Sequence, residues 1–149
     1  MAQRAKEAQV EHDRVVHAWA QILQKGVAQG CRVSTNPGSS KSAEVGSATA
    51  PKFPDIVVWR PDAAEGRDGT AELIAEVETS DTLAENEINT EWSGYAPVPA
   101  PFFLVVPEGL EDRAISLLRK KPVRVSQLWS YRIEGPEIMF TKFSALPSI

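Results

Sequence analysis

The unbroken apolar run Phe102-Phe103-Leu104-Val105-Val106 does most to limit what this chain can fold into. It is too short for an ordinary helix and offers no polar side, so it predicts a strand covered on both faces. The segments around it supply the covering layers. Residues from about 108 to 120 put Leu110, Ala114, Leu117 and Leu118 on one helical face. A helix over about 5–29 carries the stripe Val15, Val16, Trp19, Ile22, Leu23 and Val27. A third helix is predicted over about 82–95, with Ser80-Asp81-Thr82 as its cap and Ala84, Ile88, Trp92 and Tyr95 as its stripe; the prolines from Pro97 on end it. Strands are predicted at about 31–35, 53–60, 71–79, 123–125, 128–133 and 138–141. Residues 36–50, small, polar and glycine-containing, read as a long mobile loop or a loose hairpin. The order α-β-β-β-α-β-α-β, with a further strand at the end, implies an α/β sandwich in which helices flank a central mixed β-sheet. At 149 residues the chain is expected to form a single domain over 1–149.

Two of the predicted strands carry acids among apolar neighbours. Asp55 precedes Ile56-Val57-Val58, and Glu76 and Glu78 flank Val77 after Leu73-Ile74-Ala75. Side chains alternate along a strand, so Glu76 and Glu78 share a face, and Asp55 joins them at one end if the strands are neighbours. Carboxylates held that close repel one another unless a cation or a proton intervenes. An all-oxygen donor set suits Mg²⁺ or Mn²⁺. The plainer alternative is solvation of the acids at a strand end.

Charge is segregated along the chain. Residues 61–112 hold 13 Asp/Glu against 1 Lys/Arg, whereas residues 113–149 hold 2 against 7, inside a net charge of −4. The overall acidity argues against a non-specific nucleic-acid coat but leaves room for a nucleic-acid enzyme flanked by basic segments. On charge alone, solvated acidic helix faces are the plainer reading of this stretch. Cys31 has no partner for a disulfide, the amino-terminal residues lack the apolar stretch of a signal peptide, and no apolar run is long enough for a membrane helix. These features lead us to expect a cytoplasmic protein without a membrane partner.

With Pro54-Asp55 on the second core strand and Glu76-x-Glu78 on the third, the chain resembles the PD-(D/E)xK nuclease superfamily, the restriction-endonuclease-like fold, over roughly residues 5–120. The resemblance implies Mg²⁺- or Mn²⁺-dependent phosphodiester hydrolysis, of DNA before RNA, and by analogy a homodimer. It makes Asp55, Glu76 and Glu78 the candidate catalytic residues. Asp55 and Glu76 become metal ligands, joined by Glu11, because relatives carry a glutamate on the first helix and Glu11 lies at the edge of the apolar stripe. Lys41, Lys52 and Thr79 are the candidate substrate contacts; Thr79 reads equally as the start of a turn. The chain departs from the family at Glu78, which occupies the lysine position and supplies no positive charge. It can act there as a base or a further ligand. The departure also admits a catalytically silent domain that serves as a binding or protein-interaction module. His12, near the centre of the helical stripe, reads as a buried, satisfied histidine, and Trp92 and Tyr95 as core anchors.

Overall fold

The computed structural model describes residues 6–27, 30–36, 45–47, 50–61, 71–84, 92–95, 98, 100–120 and 124–143. Its elements are α1 (Lys6–Gly26), β1 (Arg32–Thr35), β2 (Val45–Ser47), β3 (Ala50–Lys52), β4 (Ile56–Trp59), β5 (Ala71–Val77), a 3₁₀ turn (Trp92–Tyr95), β6 (Phe102–Pro107), α2 (Glu111–Leu118), β7 (Gln127–Glu134) and β8 (Glu137–Lys142). Six strands form one mixed sheet in the order β1-β4-β5-β6-β7-β8, and β2 pairs with β3 in a separate hairpin. β4 is antiparallel to both β1 and β5, β5-β6-β7 are parallel, and β8 returns antiparallel to β7. The protein is thus α/β with a mixed sheet, and no described helix is long and apolar enough to cross a membrane.

The central strands β4, β5 and β6 are buried on both faces because strand alternation divides their apolar residues between two cores. Ile56, Val58, Ala75, Val77 and Val105 face α1, where Val15, Val16 and Trp19 meet them. Val57, Ile74, Leu104 and Val106 face the other way, toward Leu83, Trp92 and the Ala114 and Leu118 side of α2. Leu104 and Val105, adjacent in the chain, belong to opposite cores, and both are fully buried. That is the two-sided burial the apolar run predicts. Along α1 the stripe holds except at Ile22, which is 44% exposed.

At its described ends, the segment between β5 and β6 departs from the helix expected over 82–95. Residues 80–82 form a turn and Trp92–Tyr95 a 3₁₀ turn, while 85–91 fall outside the described residues. The first part is held by side chains that compete with helical bonding. The Thr79 amide donates to the Thr82 hydroxyl at 3.2 Å, and the Thr79 hydroxyl donates to Asp81 at 2.5 Å. Residues 124–125, expected in a strand, precede β7; pairing with β6 begins where the Ser126 amide donates to the Phe102 carbonyl at 2.8 Å. Of the loop or loose hairpin expected over 36–50, the hairpin of β2 and β3 is described, and residues 37–44 are not.

Candidate functional site

The acids meet at the carboxyl ends of β5 and β6. Ile56 pairs with Ala75, so the next step of the antiparallel register sets Asp55 opposite Glu76 with both side chains on one face. Asp55 is anchored from both neighbouring strands. Its carbonyl accepts the Asn36 amide at 2.9 Å, and its Oδ2 accepts the Val77 amide at 2.8 Å. α1 then lays His12 across the same end. His12 Nε2 stands 3.0 Å from Asp55 Oδ2, a close polar contact. On its other side, His12 Nδ1 lies 3.1 Å from Asp13 Oδ1.

The two facing carboxyls have opposite affinities for protons. Burial pushes Asp55 up, but the charge of His12 and the hydrogen bonds from His12, Glu76 and the Val77 amide outweigh it and hold Asp55 below the usual carboxylate range. Glu76 is pushed well above that range by burial and by the negative charge and hydrogen bond of Asp55, with Glu78 adding to the rise; the hydrogen bond from Tyr95 opposes it. Two like charges on facing carboxyls do not both ionise readily, so Asp55 gives up its proton more readily than Glu76 does. The Tyr95 hydroxyl donates to Glu76 Oε1 from the 3₁₀ turn.

Glu78 continues the same face of the strand, and both of its oxygens are engaged. The Thr82 hydroxyl donates to Oε1 at 2.6 Å and the Trp92 indole to Oε2 at 3.0 Å, and the side chain is 1% exposed. A base or ligand at this position has to share its carboxylate with two protein donors. Glu78→Ala leaves both donors without that acceptor, at a cost of about 1–3 kcal/mol each. Urea denaturation is expected to show a destabilisation of that order, and an unchanged midpoint would contradict it.

The remaining predicted residues separate. Glu11 does lean over the sheet: its Oε2 lies 2.5 Å from the Tyr131 hydroxyl of β7, which is also 3.2 Å from the Glu78 carbonyl. Glu11 therefore reaches the carboxyl end of the sheet through Tyr131. Thr79 is buried and serves the turn described above. Lys41 lies outside the described residues, as does the side chain of Lys52. A groove of about 430 Å³ lined by Val27, Leu73 and Phe103 opens at the amino ends of β5 and β6, away from the acids.

Sequence reasoning placed His12 in the core and missed its contact with Asp55. It likewise took Trp92 and Tyr95 as core anchors only, whereas their polar atoms bind the acids. The signal was available in kind: a buried indole or phenol needs a hydrogen-bond partner, and buried acids need donors.

Among the described residues, no group of three or more His, Cys, Asp or Glu is placed to hold one metal ion. The donors that do meet are the two carboxyls of Asp55 and Glu76. Mg²⁺ is commonly held by one or two protein carboxylates, with water and substrate phosphate completing its shell, so this oxygen pair fits such an ion on donor chemistry. No protein-family model matches the chain, and neither a curated protein nor a solved structure matches it.

Proposed function

We propose that the chain is a restriction-endonuclease-like domain that hydrolyses phosphodiester bonds with Mg²⁺ or Mn²⁺, DNA before RNA. The observation that carries this reading is the facing pair Asp55–Glu76, two carboxyls directly opposed on neighbouring strands, with the proton affinity of Asp55 lowered and that of Glu76 raised. Their position adds support, because ligands of open α/β sheets bind outside the carboxyl ends of the parallel strands. Asp55 and Glu76 would hold the ion, which supplies charge stabilisation at the phosphate and lowers the pKa of a bound water. The chain's own residues prepare the place. The Val77 amide and His12 orient Asp55, Tyr95 orients Glu76, and Tyr131 holds Glu11 nearby. Glu78, committed to Thr82 and Trp92, is assigned to positioning the segment that carries Tyr95.

One observation favours the second reading, a catalytically silent domain that binds a partner: every acid of the trio already has a protein donor, so folding alone accounts for all three. The two readings separate in an assay of linear duplex DNA, single-stranded DNA and RNA, each with Mg²⁺, Mn²⁺ or excess chelator. Cleavage that requires the metal supports the nuclease. No cleavage of any substrate under any of these conditions supports the silent domain.

A further inference from the structure

We infer that His12 is a positioning residue of this site, orienting Asp55 for a divalent cation; the inference rests on the reading of Asp55 and Glu76 as the cation-binding pair. Three features of the contact carry it. His12 is 1% exposed and sits on α1, which covers the opposite face of the sheet from Glu76 and Glu78, so it meets Asp55 around the strand end and is held there out of water. Its two nitrogens bridge acids of different elements: Nδ1 lies 3.1 Å from Asp13 on α1, and Nε2 lies 3.0 Å from Asp55 at the start of β4. Asp13 is itself fixed, accepting from the Gln9 amide at 2.9 Å. The contact with Asp55 falls on Oδ2, the same oxygen that accepts the Val77 amide. Oδ2 therefore has two protein neighbours that set the carboxylate's rotation.

Carboxylates that ligate a metal ion are themselves held by supporting polar residues, and losing such a partner typically costs about 10- to 100-fold in metal affinity. A histidine that only filled space would be replaceable by an apolar side chain of similar size without effect on an ion. The placement also explains a pairing the strand pattern leaves open. Asp55 is half out of the sheet at the foot of β4, where a free carboxylate would sample several rotamers; the ring on α1 removes that freedom.

The test is Mn²⁺ binding by the full-length chain, followed by electron paramagnetic resonance of free Mn²⁺, in wild type, His12→Leu and His12→Gln. Circular dichroism checks that each variant is folded. Leucine keeps the apolar bulk and loses the polar contact. Glutamine brings an amide nitrogen to about the place of Nε2. The inference expects His12→Leu to bind about 10- to 100-fold more weakly and His12→Gln to recover most of the affinity. If His12→Leu does not fold, His12→Asn, polar but too short to reach Asp55, takes its place with the same expected loss. Wild-type affinity in the leucine or asparagine variant overturns the inference and leaves the cation reading standing. Equal weakening in the leucine and glutamine variants also overturns it. No Mn²⁺ binding by the wild type overturns the cation reading, and the role of His12 falls with it.

Discussion

Asp55→Ala is expected to abolish metal-dependent cleavage, by at least about 100-fold, which exceeds the loss typical of a supporting residue. The size follows from what Asp55 does. It is the carboxyl of the facing pair that stays ionised, and so it supplies the charge that attracts a dication before any proton is displaced. Its removal also deprives the Val77 amide and the His12 ring of their common partner. Part of the effect is therefore structural, and Asp55→Asn isolates the rest: it keeps the volume and an acceptor oxygen but not the charge. Single-turnover cleavage rates of the two variants, compared at equal folded fraction, are expected to be equally low. Cleavage by Asp55→Asn at the wild-type rate would remove the charge from the account.

Glu76→Gln is expected to change the shape of the stability–pH curve. The folded state holds the Glu76 proton to a higher pH than the unfolded chain, whose glutamate titrates near 4.5. The group's favourable contribution is therefore complete below the unfolded value and is lost as pH rises through the folded one. Each unit by which the folded pKa is raised costs the wild type about 1.4 kcal/mol once both states have lost the proton. Glutamine keeps an acceptor for Tyr95 and a donor toward Asp55, and it has no proton to lose. Its stability is expected to stay level on the alkaline side where that of the wild type declines. Asp55 works in the opposite sense. Its folded pKa is depressed below the ordinary 3.8, so its contribution is present above that value and lost as pH falls through the folded one. Both proteins should therefore share an acid limb. Urea denaturation across the pH range reads both limbs, and parallel curves for wild type and Glu76→Gln would contradict the raised pKa.

The strands were legible in the sequence because their signals are local. Ile56 to Trp59 and Phe102 to Val106 are apolar without interruption, and the folded chain buries them on both sides of one sheet. The parity of Glu76 and Glu78 followed from the two-residue period, and the shared face of Asp55 and Glu76 from assuming that their strands are neighbours. What the sequence could not convey was the partner of each acid, because those partners come from distant segments. His12 reaches Asp55 across 43 positions, and Tyr131 reaches Glu11 across 120. The period of 100° per residue set His12 on the inward face of α1 but said nothing of which strand end lay beneath it. The helix expected over 82–95 was misread at its described ends for a different reason. Thr79, Asp81 and Thr82 look like a helix cap, and in the fold they close on one another and on Glu78 to make a turn. An N-cap and a side-chain-bonded turn use the same residue types, and only the buried acid decides between them.

Isothermal titration of Mn²⁺ into wild type and Asp55→Ala reads out whether the facing carboxyls of Asp55 and Glu76 form a divalent-cation site. Repeating the titration in buffers of different ionisation heat reports protons exchanged. Saturable binding to the wild type is expected, with release of a proton where the ion takes the place of one held by Glu76, whose proton affinity is raised. Asp55→Ala is expected to show no specific binding. Equal binding by the two proteins, or no binding by either, would contradict the cation site.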